Sequence, residues 1–191
     1  MADPERSMWD RMLAGELYIA DDQRILEASQ RTMALLQEIN HAPAADALLR
    51  RQLFTELLAE YGEGAEIRPP FYCDFGWQTT VGARTFANFG LTILDVAGVR
   101  IGEDVQIGPH VQLLTATHPL DPDPRRAKWE SAEPIVIEDN VWLGGGAIVC
   151  PGVTVGENTV VGAGSVVTKD LPANVVAVGS PARVARSLTG H

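Results

Sequence analysis

The chain of 191 residues is short of several things, and each shortage narrows what it can be. No apolar run approaches the ~20 residues a membrane-spanning helix needs, so no membrane partner is expected. Residues 1–10 lack the basic-then-apolar pattern of a signal peptide, which points to a cytoplasmic protein. Only two cysteines are present, Cys73 and Cys150, and neither belongs to a C-x-x-C motif. They read as two reduced, buried thiols. Basic residues are scarce: 15 Lys and Arg face 25 Asp and Glu, a net charge of −10. That balance argues against nucleic acid as a partner. The few cations are unevenly placed. Residues 141–191 carry Lys169, Arg183 and Arg186 against only Glu157 and Asp170, so an anionic ligand belongs at this end.

What is present divides into two grammars. Residues 1–62 read as a helical region. Ser7 to Asp10 forms a variant capping box ahead of Met8, Met12 and Leu13. A second helix is expected over 21–40, with Ile25, Ser29, Thr32, Met33, Leu36 and Ile39 along one side. Pro43 suits the first turn of a third helix. Its face continues through Leu49, Leu53, Leu57 and Tyr61, and Gly62 and Gly64 end it.

Beyond residue 65 the period becomes six. Ile137, Leu143, Val149, Val155, Val161 and Val167 stand six apart, and mostly small residues precede each by two positions. Ile101, Ile107 and Leu113 repeat the pattern upstream, and a looser copy begins at Val81. A hexapeptide period means one short strand and one corner per unit, with three units closing a triangular coil. The aliphatic points inward and the small residue sits at the tight corner. The expected fold is mainly β: a β-helix over 63–180, followed by a short tail at 181–191. Residues 119–134 interrupt the repeat with four prolines (Pro119, Pro122, Pro124 and Pro134) and no secondary structure of their own, as a projecting loop that helps wall a site.

Chemistry is expected at the edge of that loop, where His118 ends Thr115-Ala116-Thr117-His118. His41 lies at a helix end and His191 at the terminus, where neither is expected to act. A catalytic zinc site needs three protein ligands, and the regular coils offer only His110 and His118, so no metal is expected. No G-x-S-x-G or P-loop motif is present. Gly144-Gly145-Gly146 is either a tight corner or a place where backbone N–H groups meet a ligand.

Several motifs together resemble the maltose/galactoside O-acetyltransferases, members of the hexapeptide-repeat acetyltransferases. They are Phe86 to Phe89, Leu94-Asp95-Val96, Thr115 to Leu120, Asn140 to Gly144, Pro151 to Gly156, Val166 to Asp170 and Gly179 to Arg183, with Ala14 to Tyr18 near the start. Leu94-Asp95-Val96 and Thr115 to His118 are closer to the maltose branch. The resemblance implies left-handed winding and a homotrimer with acetyl-CoA, the co-substrate, in grooves between subunits. It places the catalytic histidine on His118 and the carbonyl-binding asparagine on Asn88. Donor contacts fall on Asn88, Gly145, Ala163, Thr168, Lys169, Arg183 and Arg186. Acceptor contacts fall on Asp74 and Phe86, and an N-terminal acidic contact falls on Ala20 directly or on Asp21 after a one-residue shift.

The implied reaction moves an acetyl group to the hydroxyl of a small sugar of maltose, glucose or galactoside type. A hydroxyl needs a base within hydrogen-bond reach, which His118 supplies. The oxyanion needs donors, here the Asn88 side chain and the Gly145 N–H. The basic C-terminal residues suit the phosphates of coenzyme A. Two alternatives remain: the same fold acting on a non-sugar or aminosugar acceptor, and a β-helix with no catalytic role.

Overall fold

The computed structural model describes residues 6–188, so His191 lies outside it. From Glu60 onward the backbone winds through strands of mostly two or three residues that stack in three faces. The first face holds Glu60–Tyr61, Thr79–Val81, Val99–Ile101, Ile135–Ile137 and Thr154–Val155. The second holds Glu66–Ile67, Phe86–Ala87, Gln106–Ile107, Trp142–Leu143, Val160–Val161 and Val175–Gly179. The third holds Tyr72–Cys73, Thr92–Leu94, Gln112–Leu114, Ile148–Val149 and Val166–Val167. Successive coils pair in parallel, giving the left-handed β-helix with N-terminal helices that the repeat and its resemblance led us to expect.

Both apolar positions of each unit form the core. Ile135, Ile137, Val141, Leu143, Ala147 and Val149 are all 0% exposed. The residues two positions ahead of each aliphatic therefore do more than relieve a corner. Residues two apart on a strand point the same way, so both face into the prism. The first corner, between the first and second faces, is turned by residues in the left-handed region: Arg84, Asp104, Asn140, Asn158 and Asn174, with φ between 54° and 61°. Three of them form a ladder in which Asn140 Nδ2 donates to Asn158 Oδ1 at 2.8 Å and Asn158 Nδ2 to Asn174 Oδ1 at 3.0 Å.

The third corner, between the third and first faces, absorbs every departure from the period. Six residues separate Val149 from Val155, but eight separate Cys73 from Val81 and Ile93 from Ile101. From Leu113 to Ile137 the step is twenty-four, because Val99 pairs directly with Ile135. The projecting segment has structure of its own, contrary to expectation. Ala116–Thr117 and Ser131–Ala132 pair antiparallel, and Pro122–Arg126 forms a short helix capped by the Asp121 side chain. The proline run thus starts a helix where an open loop was expected.

The N-terminal helices close the open end of the prism. Met8–Leu13 (α1) is capped by Ser7, whose side chain accepts from Asp10 N. Gln23–His41 (α2) buries Ile25, Thr32, Leu36 and Ile39. Met33 is 64% exposed and leaves the expected stripe, because alternating steps of three and four carry the stripe past it. Ala47–Leu57 (α3) begins four residues after Pro43, at the stronger cap: the Asp46 side chain accepts from Leu49 N at 2.9 Å. Asn40 fastens α2 to the coils, donating to the Phe71 carbonyl at 3.0 Å and accepting from Phe71 N at 2.8 Å. Residues Ala182–Ser187, expected as a tail, add an antiparallel strand beside Val175–Gly179. No helix of the described residues is long and apolar enough to cross a membrane.

Asn158→Ala should destabilise the protein by about 1–3 kcal/mol, through loss of two ladder bonds plus left-handed strain. Asn158→Gly keeps the backbone angle and should cost less. Denaturant unfolding of both variants checks the order, and an Ala variant as stable as the Gly variant would show that strain plays no part.

Candidate functional site

The irregular third corner holds His118 and a group of acids, Asp74, Asp95 and Glu130. Tyr18, from the segment between α1 and α2, exchanges two backbone hydrogen bonds with Glu130 of the projecting hairpin, at 2.9 and 3.0 Å. That bridge fixes the hairpin against the N-terminal segment. His118 stands where the hairpin leaves the coil, its side chain 57% exposed. Its Nδ1 lies 3.5 Å from the Trp129 carbonyl oxygen and its Nε2 lies 3.9 Å from Glu130 Oε2. A carbonyl only accepts, so this contact favours the tautomer with the proton on Nδ1 and leaves the Nε2 lone pair free. An open pocket of about 530 Å³ surrounds the ring, lined by Ile19, Ala20, Asp21, His118, Arg125, Lys128 and Glu130. Both Ala20 and Asp21 line it, so the N-terminal acceptor position falls here on either alignment. A larger cavity between α3 and the first coil, near Arg50, Arg51 and Tyr61, contains none of the expected site residues.

Asp74 and Asp95 occupy the same corner in the first and second coils. Asp95 is 0% exposed and braces the lengthened turn below it, accepting from Phe75 N at 2.9 Å and Thr79 Oγ1 at 3.0 Å. Burial raises its affinity for a proton. Burial, together with the charges of Asp95 and Glu130, pushes the Asp74 carboxyl up to about 6. Burial and the neighbouring Glu130 and Asp74 carboxylates push the Tyr18 phenol up as well. Cys73, partly buried beside these acids, has its thiol raised mainly by burial.

The other expected residues lie elsewhere. Asn88, Gly145 and Ala163 stack along the second corner, between the second and third faces. Asn88 Oδ1 accepts from Phe89 N at 2.8 Å, and its NH₂ group has no partner among the described residues. The three glycines differ in need. A Cβ on Gly144 would strike the Ala163 backbone of the next coil, whereas Gly146 carries φ 70° with open space around it. Between them Gly145 lies against the Pro109 ring. The corner is thus bare of long side chains from Gly144 to Gly164. Phe86 is half-buried on the second face with the Arg68 guanidinium 5.0 Å from its ring. Thr168 and Lys169 follow the last strand of the third face, and Arg183 and Arg186 sit on the final antiparallel strand. Lys169, Arg183 and Arg186 are exposed and in no ion pair among the described residues. His41 ends α2, where its Nδ1 meets the Gln37 carbonyl at 2.8 Å.

A single chain therefore brings His118 together with Asp21 at one pocket, with Asp74 at the same corner, and holds Asn88, Gly145 and Ala163 at another corner. The third face stands between them, roughly 10–15 Å across at about 3.3 Å per strand residue. Neither Glu130 nor Tyr18 was given a place in the site from the sequence, although Tyr18 ends one of the family motifs. Nothing local separates Glu130 from the exposed Glu133 three positions later; only the hairpin's pairing with Tyr18 does so.

Comparison with known proteins decides the family. The model of the maltose acetyltransferase hexapeptide capping motif matches residues 11–62, and that of the bacterial transferase hexapeptide matches residues 134–169. The galactoside O-acetyltransferase of Lactococcus lactis subsp. lactis is 40% identical over 97% of this chain and 90% of its own. The chain belongs to the maltose/galactoside O-acetyltransferase family. Nodulation protein L of Rhizobium meliloti is another relative of this acetyltransferase, 47% identical over 94% of the chain and 98% of its own. A solved galactoside acetyltransferase in complex with coenzyme A superposes with a TM-score of 0.94 at 39% identity, covering 97% of this chain and 92% of that one.

The crowded carboxylates should leave a signature in stability. Asp74 holds its proton more tightly folded than unfolded, so its contribution is most favourable at low pH and is lost as pH rises from about 4 through about 6. Asp74→Asn should therefore raise unfolding free energy at pH 7.5 by up to about 3 kcal/mol relative to wild type, and by little at pH 4. Equal effects at both pH values, read by denaturant unfolding, would show that no buried charge is being relieved.

Proposed function

We propose that this acetyltransferase moves the acetyl group of acetyl-CoA to a hydroxyl of a small sugar by direct attack, with His118 as general base. The observation that supports this best is the setting of the imidazole. Its Nδ1 is engaged by the Trp129 carbonyl, and its Nε2 opens onto a pocket lined by the expected acceptor residue Asp21, with Asp74 at the same corner. In that tautomer Nε2 takes the proton of the acceptor hydroxyl as its oxygen bonds to the acyl carbon. The same proton passes to the coenzyme A sulfur as the thioester C–S bond breaks, so the products are an acetyl ester and a free thiol.

The second corner suits the acyl donor. Bound acetyl-CoA would supply the activated carbonyl. The Asn88 amide NH₂ and the Gly145 N–H, neither of which has a partner among the described residues, would donate to the carbonyl oxygen as it gains charge. The side-chain-free corner at Gly145 and Ala163 admits a slender chain, flanked by Thr168. Lys169, Arg183 and Arg186 would meet the phosphates as unpaired cations.

Because His118 and Asn88 occupy different corners of one prism, the reaction needs the second corner of one copy against the third corner of another. We infer a homotrimer on this ground. The second face supports it with an exposed apolar strip of Trp142, Val178 and Val184 on its outer side. The acceptor contacts divide the same way, Asp74 and Asp21 near His118 and Phe86 near Asn88. Release of free thiol across maltose, glucose, galactosides and aminosugar oligosaccharides would fix the acceptor. Turnover confined to aminosugars or to non-sugar acceptors would replace the simple-sugar reading.

His118→Ala should lower kcat by about 10²–10⁴, the usual worth of a positioned base, with little change in KM for acetyl-CoA. Wild-type activity should fall on acidification, since only neutral imidazole accepts the proton. Asn88→Ala should cost about 10²–10³ through loss of an oxyanion donor, leaving the pH profile in place. Near-normal turnover in His118→Ala, measured with the assembly intact, would remove His118 as the base.

A further inference from the structure

Glu130 has no part in binding or proton abstraction as described so far, yet it is the best-held acid in the His118 pocket. Its backbone is clamped on both sides by Tyr18, and its side chain is only 21% exposed although the hairpin around it faces solvent. Tyr18, 3% exposed, lies against its carboxylate, and Asp74 lies on the same side. Glu130 Oε2 stands 3.9 Å from Nε2, the nitrogen that the Trp129 contact leaves without a proton. Two acceptors facing each other form no bond in the resting enzyme. The gap becomes an ion pair only when Nε2 has taken the acceptor's proton and the ring is an imidazolium.

We propose that Glu130 is a positioning residue that stabilises the imidazolium of His118 as it forms, and that Tyr18 holds it in place for this. The inference rests on His118 being the general base. An interaction made only after proton transfer lowers the barrier without tightening the ground state, so its loss should appear in kcat. The N-terminal capping segment thereby takes part in catalysis through Tyr18, besides closing the end of the prism.

A double-mutant cycle tests this, with Glu130→Gln, His118→Ala and the double variant assayed by thiol release in the full assembly. Glu130→Gln keeps the shape of the side chain and removes its charge. It should lower kcat by about 10-fold or more, the lower end of what an opposite charge within 4–6 Å contributes to proton affinity, since the ring is partly solvated. KM for acetyl-CoA should not change. On the His118→Ala background the same substitution should cost nothing, because there is no imidazolium left to stabilise. Tyr18→Phe should reproduce a smaller kcat loss that also vanishes without His118, and it serves if Glu130→Gln unfolds. Equal losses on both backgrounds would make Glu130 a structural residue and overturn the proposal. Normal kcat for Glu130→Gln beside a dead His118→Ala would overturn it while leaving the base in place. Normal turnover in His118→Ala would remove the base itself, and the proposal with it.

Discussion

In the β-helix of this acetyltransferase the strand backbone hydrogen-bonds between coils, not along the chain, and that constraint organises the molecule. Each short strand has partners only in the coils above and below, at fixed register. A residue added within a strand would turn the inward aliphatics outward along that coil. Additional residues can therefore enter only at corners. Of the three corners, the first is sealed by its left-handed asparagine ladder and the second is kept narrow by backbone packing at Gly144. The third is left to vary. It holds two additional residues in each of the first two coils and the entire hairpin in the third, and the pocket at His118 lies there.

That corner is also where the protein accepts unfavourable burial. Asp95 is fully enclosed, and Asp74 is pushed toward neutrality by burial and by the charges of Asp95 and Glu130. A corner designed only for stability would hold apolar residues, as the prism interior does. Asp95 is repaid by the turn it braces, since Phe75 N and Thr79 Oγ1 would otherwise be unsatisfied. No such structural return is visible for Asp74. Its cost is intelligible if an acceptor hydroxyl is to find a hydrogen-bond acceptor beside the catalytic base.

Much of this was legible in the sequence. Six aliphatics in strict register, from Ile137 to Val167, dictate the coil, because only a six-residue unit returns each to the same face. The helical cap was legible for the same kind of reason, though α3 starts at Ala47 behind the Asp46 cap instead of at Pro43, where a side-chain cap outweighed a favourable backbone angle. His118 stood out by its place at the edge of the insertion, and Asn88 only through family resemblance. The hairpin of Ala116–Thr117 with Ser131–Ala132 escaped notice because two-residue strands carry no periodicity. Glu130 escaped because its importance comes from Tyr18, more than a hundred residues earlier. Nor does a linear motif tell which corner a residue turns, so only the structure puts Asn88 and His118 at different corners of one prism.

Whether one site is assembled from two copies is the question on which the proposed chemistry depends most. It is answered by mixing His118→Ala chains with Asn88→Ala chains, unfolding and reassembling them together, and assaying thiol release. If the second corner of one copy meets the third corner of the next, random assembly at equal amounts should restore about one quarter of the sites and a matching share of wild-type activity. A mixture no more active than either variant alone would mean that both residues act within a single chain, contradicting the arrangement of corners described above.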